Sequence, residues 1–402
     1  DITAAVMNGD NRLALYVHDA SAGLGKGKAF NQVGSFRPAS PSPLQGGVWG
    51  GVTLERRSAA YVGNVFVKTS TRRHELTVEC ELSNAGAQPQ SAIVDFALLH
   101  WPDGAPVALA IPSPPASIAP GKVQKVVVTV PWSDPLLWSP DHPNLYVLRA
   151  TLKTPSDKAS QSDSLDTRFG FREFWAEGQQ FMLNGVPIRL RGESHFGLGK
   201  TGQATDPFKG RDHSREECLA LKERYRSNAA RMHGQIMSAA MAQGADEAGY
   251  LMIAQSSIWS VVASWYRNCG EPFLDNTRRE FAEWVRRDRN SPSIVIWDVE
   301  NEQLRMGENN KPWAMRLDGF VREHDDTRLI EHSGAGWYDK DLQIVHLHHE
   351  EQFTDIMDRW RARDHHPLIM GEWWVGFQGG EFCVTSSPEF RSRAEYTYAE
   401  AR

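Results

Sequence analysis

Apolar and polar residues alternate regularly along much of the first half of the chain. Runs with this two-residue period begin at residues 61, 74, 91, 122 and 145, and segments rich in Gly, Pro, Ser and Asn separate them. Because the side chains of a strand point alternately to opposite faces, each run predicts a strand with one buried face. Such strands, with few helical patterns between them, predict an immunoglobulin-like β-sandwich over residues 58–170.

Residues 1–57 carry a weaker version of the same pattern. Segments 12–17 and 52–55 are strand candidates, and a stretch rich in Gly, Ser and Pro lies between them. The chain begins with Asp1 and has no charged-then-apolar leader, so we expect a processed product or a fragment.

The pattern changes at about residue 170. Helical patterns then alternate with short apolar strands near residues 187, 229, 251, 294, 329, 344 and 368. This alternation predicts a parallel sheet, either doubly wound or a (β/α)8 barrel. No G-x-G-x-x-G segment follows a strand, which disfavours a dinucleotide-binding fold. Since a barrel has eight strands and only seven candidates occur, we expect a barrel over residues 171–402 that is truncated before strand eight. The alternative is that the weakly patterned tail, residues 382–402, supplies the eighth strand.

Composition and charge exclude several classes of function. The 402 residues carry a net charge of −6 without a Lys/Arg block, so neither nucleic acid nor a membrane surface is expected as a partner. No window reaches the roughly 18 apolar residues of a membrane span, and we expect a soluble protein in the cytoplasm, in the periplasm or outside the cell. Four widely spaced cysteines lack zinc-site spacing and indicate free thiols. The 14 Trp residues suit sugar rings, although most are expected in the core.

Two glutamates follow apolar runs that we assign to barrel strands. Residues 293–297 (SIVIW) lead to Glu302, and residues 367–370 (PLIM) lead to Glu372. The carboxyl ends of barrel strands form the active site, so the two carboxylates are expected to face each other there. Such a pair supplies the acid and the nucleophile, or the base, of glycosidic bond hydrolysis. Strand-end acids also serve as helix caps or ion-pair partners, which is the alternative interpretation.

The sequence around both glutamates resembles a known family. Residues 289–302, RNSPSIVIWDVENE, resemble the acid/base signature of glycoside hydrolase family 2, N-H-P-S-I-x-x-W-x-x-x-N-E. Residues 367–373, PLIMGEW, resemble the nucleophile strand of that family. The resemblance implies that Glu302 is the acid/base, that Glu372 is the nucleophile and that Asn301 bonds the sugar 2-hydroxyl. Its acid/base motif departs from the pattern at two positions, Ser291 for His and Glu300 for Gly.

The resemblance extends over essentially the whole chain. Segments 46–54, 138–146 and 169–191 resemble the end of the family's sugar-binding domain, the last strand of its immunoglobulin-like domain and the start of its barrel. It therefore implies three domains. These are the C-terminal part of a jelly-roll-like sugar-binding β-sandwich at residues 1–57, an immunoglobulin-like sandwich at 58–170 and a catalytic TIM barrel at 171–402.

Further pocket residues follow from the resemblance. The candidates for substrate binding besides Asn301 are His195, Arg231, His233, His346, His348, Trp337 and Trp373. Arg231 and His233 stand in R-M-H-G, where the family commonly has R-x-x-H-Y-P. His346 and His348 share one face of a strand and could instead share a metal ion, which we favour less than hydroxyl binding. Some family members use magnesium or sodium near the acid/base, but no residue here indicates one, and no cofactor is expected.

The resemblance implies a retaining, exo-acting β-glycosidase that removes the terminal sugar of an oligosaccharide, a polysaccharide or another glycoside. β-Galactosidase is the activity that we expect first, because it is widespread in the family. β-Glucuronidase is the second choice. The alternative from another class is a non-catalytic carbohydrate-binding protein on the same scaffold. A homo-oligomer is left open. Retention predicts that the carboxyl groups of Glu302 and Glu372 lie about 5–5.5 Å apart.

Overall fold

The structure, a computed structural model, covers most of the chain between residues 52 and 372. The described residues are 2, 5–16, 52–154, 163–195, 210–258, 270–305, 310–336, 342–348, 353–363 and 365–372. Residues 373–402 lie outside these ranges. The expected truncation of the barrel before strand eight concerns that segment and stays a prediction.

Segments 12–16 and 52–55 form no strand, so the two strand predictions near the N-terminus were wrong. Leu13, Leu15 and Leu54 expose 64%, 59% and 78% of their surface. A strand is stable only when a neighbouring strand pairs with it and one face is covered, and these segments bury no apolar face. Residues 17–51 lie outside the described ranges, and the jelly-roll assignment stays a prediction.

Seven antiparallel strands form two sheets that pack as a sandwich, with the orders β1-β2-β5 and β4-β3-β6-β7. The strands are β1 (Ala60–Ser70), β2 (Glu75–Asn84), β3 (Gln90–Trp101), β4 (Pro115–Ile118), β5 (Val123–Pro131), β6 (Leu145–Lys153) and β7 (Asp163–Phe169). Every second residue of β2 is buried, and these residues join the apolar core between the sheets. The five strands predicted from alternation are confirmed. The short β4 and the polar β7 carry too weak a pattern to be predicted.

A small antiparallel sheet leads into the barrel. Its strands are β8 (Phe174–Glu177), β9 (Gln180–Leu183) and β10 (Val186–Ile188). Asn184 and Gly185 between β9 and β10 both have positive φ, 53° and 85°, as a tight hairpin turn requires. This turn folds β10 back onto β9, so the prediction of a barrel strand near residue 187 was wrong. The first parallel strand is β11 (Gly192–His195).

The parallel strands alternate with helices. β12 (Ala229–Met232), β13 (Leu251–Gln255), β14 (Ile294–Asn301) and β15 (Leu329–Ser333) follow β11 in one sheet, and β16 (Val345–His348) pairs with β17 (Leu368–Glu372). The helices are α1 (Arg211–Tyr225), α2 (Ala239–Ala248), α3 (Glu271–Asp288), α4 (Lys311–Ala314), α5 (Arg316–Arg322) and α6 (Phe353–Arg363). All residues of β12 to β16 are buried, which is typical of a parallel sheet enclosed by helices.

The two ends of this row of strands come together. Ser194 Oγ in β11 donates to the carbonyl of Gly371 in β17 at 3.0 Å. The carboxyl ends of β11 and β17 therefore lie side by side. Because all these strands are parallel, the residues that end them are collected at one edge of the domain.

The start of β14 is anchored on the sandwich. The Asn290 side chain accepts from Val67 N at 2.9 Å and donates to Val65 O at 2.8 Å, so it continues the hydrogen bonding of β1. The buried Arg172 guanidinium donates to the carbonyls of Pro292, at 2.9 Å, and Ile294. The first half of the RNSPSIVIWDVENE motif thus holds the sandwich and the barrel together and sets the position of the strand.

Cysteine and tryptophan side chains in the described ranges mostly pack in the core. Cys80 and Cys218 are buried free thiols, as predicted. Trp284 and Trp297 are buried and pack edge to face, with ring centroids 5.0 Å apart. Within the part of the chain that the structure describes, no helix combines the length and apolar character needed to cross a membrane.

Candidate active site

Glu302 follows β14 in a backbone conformation that few residues other than glycine adopt. Its φ is 60°, in the left-handed region. Glu302 N donates to Ser333 O at 2.7 Å and so ties this turn to the end of β15. A Cβ at the neighbouring Gly334 would lie 2.7 Å from His348 Nδ1 and 3.0 Å from Glu302 Cγ. Backbone strain of this kind is concentrated at functional sites.

Glu372 ends β17 and is held as an anion. Its Oε1 accepts from Arg231 Nη2 at 2.5 Å and lies 2.9 Å from His233 Nε2. Burial alone would raise the pKa of Glu372, but the hydrogen bond from His233 and the positive charge of Arg231 lower it well below its ordinary value. The carboxylate is therefore ionised at neutral pH.

The two glutamates meet across the strand ends. One carboxylate oxygen of each lies within 4.8 Å of the other and of a ring nitrogen of His348. The side chains of Glu302 and Glu372 are 12% and 16% exposed, so both are mostly buried but not sealed from solvent. Retaining glycosidases hold their carboxyl groups about 5–5.5 Å apart, whereas inverting ones separate them by about 6.5–9.5 Å. The nearest oxygens of this pair are thus close enough for the first arrangement.

Arg231, the third residue of β12, connects the ends of four strands. Besides Glu372, its guanidinium reaches Asn301 Oδ1 at 3.0 Å, Ser333 Oγ at 2.7 Å and Ser194 Oγ at 3.1 Å. The amide Nδ2 of Asn301 is buried and has no hydrogen-bond partner among the residues that the structure describes. A buried donor without a partner costs about 1–3 kcal/mol, so this amide is free to bond a ligand that enters the site.

His346 and His348 stand side by side on β16, as the alternation predicts. His348 Nδ1 lies 3.0 Å from Glu302 Oε1, and the Nε2 atoms of the two rings are 3.3 Å apart. His346 Nδ1 lies 2.9 Å from Glu331 Oε2. Burial lowers the pKa of His348 to about 3 and holds that of His346 well below its ordinary value. Both imidazoles are therefore neutral at neutral pH.

Three of the described residues at the strand ends have the side chains of metal ligands, but a neighbouring guanidinium disfavours a cation there. Of the described side chains, Glu302, His348 and Glu372 bring ligand-type atoms together. Oxygen Oε1 of Glu372 already accepts from Arg231, whose positive charge would repel a cation at this position. The chemistry of the site follows from its carboxylates, imidazoles and guanidinium.

The structure brings most of the candidate residues together and leaves three untested. Asn301, Arg231, His233, His346 and His348 all lie within hydrogen-bonding chains that end on Glu302 or Glu372. His195 ends β11, beside Met232 of β12, but its side chain lies outside the described residues, as do Trp337 and Trp373.

Several polar residues of the site were missed in the sequence, and all of them except the half-buried Ser194 are buried. They are Ser194, Gln255, Asp298, Glu331 and Ser333. Gln255 Nε2 and Ser333 Oγ both donate to Asp298 Oδ2, directly beneath Arg231. The signal that could have found them is a polar residue inside an apolar strand, as in LMIAQ of β13 and LIEHS of β15, because such residues are buried only with partners.

Comparisons with known proteins agree with this arrangement. The model of "Glycosyl hydrolases family 2" matches residues 60–172, and the model of "Glycosyl hydrolases family 2, TIM barrel domain" matches residues 174–383. The chain belongs to glycoside hydrolase family 2. A β-sandwich domain followed by a TIM-barrel domain is thereby confirmed. The exact boundaries expected after residues 57 and 170 stay predictions.

Individual members of the family are only distantly similar to this chain. A β-galactosidase of Enterobacter cloacae is 26% identical over 346 residues, which cover 84% of this chain and 31% of that protein. A β-glucuronidase structure from Bacteroides uniformis superposes with a TM-score of 0.64 at 21% identity, over 79% of this chain and 41% of that one. The structure of a β-galacturonidase from Eisenbergiella tayi bound to galacturonate superposes with a TM-score of 0.69 at 18% identity. The match covers 86% of this chain and 62% of that one. The chain thus spans less than a third of the length of the Enterobacter relative.

The family 2 chain departs from the usual acid/base motif in ways that the structure explains. Ser291, in place of His, donates through its hydroxyl to Asp246 Oδ1, which also accepts from Ser293 N at 3.1 Å. Glu300, in place of Gly, accepts from Gln303 N and lies 2.9 Å from His332 Nδ1. Both substituted side chains are buried and hydrogen-bonded, and neither contacts Glu302 or Glu372 in the described hydrogen bonds.

Replacing Gly371 with Ala is expected to lower the free energy of unfolding by about 1–3 kcal/mol, because overpacking of a rigid core forces shifts. A Cβ at residue 371 would lie 1.7 Å from His346 Nε2, and the ring of His346 is buried. Chemical denaturation measures the loss. Gly319 is the matched control, since it lies in α5 with no other atom within 4 Å of the added Cβ. Equal stability of G371A and G319A would contradict the prediction.

Proposed function

We propose that this chain hydrolyses β-glycosides with retention of configuration, with Glu302 as acid/base and Glu372 as nucleophile. The observation that carries the proposal is the pair itself. Two carboxylates at the carboxyl ends of barrel strands lie within 4.8 Å of each other, and one of them is kept ionised by Arg231 and His233. A non-catalytic sugar-binding protein has no need of an ionised buried carboxylate placed beside a second one.

The first step joins the sugar to the enzyme. Glu372 attacks the anomeric carbon, the bond to the leaving oxygen breaks, and Glu302 gives its proton to that oxygen. Ionised Glu372 is suited to this attack because its pKa is lowered. In the second step, Glu302 takes a proton from water, whose oxygen attacks the anomeric carbon and releases Glu372. The free Nδ2 of Asn301 is placed to bond the sugar 2-hydroxyl.

The substrate is proposed as a terminal β-linked sugar, removed in exo fashion from an oligosaccharide, a polysaccharide or another glycoside. β-Galactosides are the first choice, in keeping with the Enterobacter relative named as a β-galactosidase. β-Uronides are the second choice, because the printed names of similar structures include a β-glucuronidase and a β-galacturonidase. Polar donors dominate the described part of the site, which suits hydroxyl groups in either case.

A panel of aryl β-glycosides that differ only in the sugar tests the proposal. We expect turnover of at least one β-glycoside, with the matched aryl α-glycosides as controls that are not cleaved. The anomer released first, measured by proton NMR within the first minutes, is expected to be β. An α-anomer would exclude the nucleophile role of Glu372. Sugar binding without turnover of any aryl glycoside would favour the carbohydrate-binding alternative.

A further inference from the structure

A continuous chain of hydrogen bonds runs from Glu302 into the interior of the barrel. It passes from Glu302 Oε1 to His348 Nδ1 at 3.0 Å, from His348 Nε2 to His346 Nε2 at 3.3 Å and from His346 Nδ1 to Glu331 Oε2 at 2.9 Å. Both imidazoles and Glu331 are buried. The proposed mechanism does not use Glu331, whose other oxygen has no hydrogen-bond partner in the described part of the chain.

Neutral imidazoles make this chain directional. A neutral ring has one N–H and one bare nitrogen, so the state of one end dictates the state of the other. If Glu331 is protonated, it donates to His346 Nδ1, His346 Nε2 donates to His348 Nε2, and His348 Nδ1 donates to ionised Glu302. If Glu331 is ionised, all three bonds reverse and Glu302 is the donor. The chain therefore couples the protons on its two carboxyl groups.

A second buried carboxylate, Asp298, lies nearby, but its surroundings favour the ionised form more than those of Glu331 do. Asp298 Oδ2 accepts from Gln255 Nε2 and Ser333 Oγ and lies 3.8 Å from Arg231 Nη1. Burial raises the pKa of both carboxyl groups, well above the ordinary value for Asp298 and to about 8 for Glu331. Among the described residues, Glu331 has no donors comparable to those on Asp298 Oδ2, so we assign the proton to Glu331. The charged or titratable groups that face Glu331 are Arg231, Asp298, His332 and His346.

We propose that Glu331 is an internal proton store for Glu302, connected to it through His346 and His348. This inference rests on the proposed function, because it assigns a proton source to the proposed acid/base. Glu331 and His346 touch neither sugar nor leaving group in this scheme, so they are positioning residues that act through Glu302.

The transfer is balanced along the chain. The O–H bond of Glu331 breaks and its proton binds His346 Nδ1, while His346 passes its Nε2 proton to His348 Nε2. His348 then passes its Nδ1 proton to Glu302. Neither imidazole changes its net charge, and one negative charge moves from Glu302 to Glu331. Glu302 gives one proton to the leaving oxygen and takes one from water in each turnover, so the store is full again when the cycle ends.

The test compares pH profiles of kcat/KM for an alkyl β-glycoside, whose poor leaving group needs the acid. In E331Q the alkaline limb is expected to move by about one unit to lower pH, because the store that refills Glu302 is gone. H346Q interrupts the chain but retains the carboxyl group of Glu331, and the same shift is expected. The double variant is expected to shift no further than either single one. Both single variants should lose more kcat/KM with the alkyl glycoside than with a dinitrophenyl glycoside.

E300Q is the matched control for these variants. Glu300 is an equally buried glutamate that also contacts an imidazole, His332, but lies outside the chain. Its alkaline limb is expected to stay at the wild-type position. If the alkaline limb of E331Q stayed at the wild-type pH, the proposal would be overturned. If the limb moved in E331Q but not in H346Q, Glu331 would act only through its electrostatic effect on Glu302, and the proposal would be overturned too.

Nitrogen-15 NMR of histidine-labelled protein tests the store without turnover. As pH rises through the ionisation of Glu331, His346 is expected to change from the Nε2–H to the Nδ1–H tautomer, because it then donates to the Glu331 carboxylate, while His348 keeps the Nδ1–H that donates to ionised Glu302. The exchange should be absent in E331Q. Fixed tautomers in the wild type would overturn the store. If the wild type cleaved no glycoside but exchanged tautomers, the proposed function would fail and the proton coupling would stand.

Discussion

Glu372→Gln is expected to reduce turnover of every glycoside by about 10⁴-fold or more, the loss typical of a removed nucleophile. The amide has nearly the same shape, but it carries no charge and cannot form a stable glycosyl ester. Arg231 and His233 hold Glu372 so that its ionised oxygen is available. A better leaving group cannot compensate, because bond formation at the anomeric carbon is itself missing.

Steady-state rates with alkyl and dinitrophenyl glycosides measure this loss, and it should be equally severe for both. E300Q serves again as control, since it makes the same change at a buried glutamate of β14 outside the pair. A fluorinated glycoside with a good leaving group should label the wild type at Glu372, as located by mass spectrometry of peptides. Label on another carboxylate, or substantial activity of E372Q, would remove Glu372 from the proposed role.

Sequence reasoning predicted the strands whose burial follows a simple pattern, either alternating or continuous. β2 alternates along ELTVECELSN, and its buried positions are those that the alternation selects. β14 is buried throughout, which explains its uninterrupted apolar start. The two glutamates were singled out because each follows a strand whose end is visible as the end of an apolar run, and the family resemblance then supplied their catalytic roles.

The remaining parts depend on contacts between distant residues. Glu331 and His346 lie on different strands, and the sequence carries no signal that pairs a carboxyl group in one strand with an imidazole in the next. Segment 12–16 is the reverse case: the sequence alternates as a strand would, but the segment forms no strand and its apolar side chains stay exposed. Near residue 187, the tight turn at Asn184–Gly185 directs the following apolar run into a hairpin, so this run does not become a barrel strand.

Glu302→Ala is expected to separate substrates by their leaving groups. The acid contributes about 10²- to 10⁴-fold when the leaving oxygen is basic, and little when the leaving group departs without a proton. Alkyl glycosides should therefore lose activity by this factor. Dinitrophenyl glycosides should still form the glycosyl-enzyme rapidly, seen as a burst of dinitrophenol. The burst follows because hydrolysis of the intermediate also needs Glu302 as base and becomes rate-limiting.

Azide should restore turnover of dinitrophenyl glycosides by the Glu302→Ala variant, because the vacated space beside His348 admits a small anion on the face where water normally attacks. The product should be the β-glycosyl azide, formed by a second inversion at the anomeric carbon. Azide should have no such effect on the wild type, where Glu302 fills that space. If azide instead rescued Glu372→Ala and gave an α-glycosyl azide, the anion would be replacing the nucleophile on the opposite face. The surroundings of the two carboxylates favour rescue of the Glu302→Ala variant. Arg231 and His233 stabilise the charge of Glu372, as a nucleophile requires, whereas a neutral imidazole contacts Glu302.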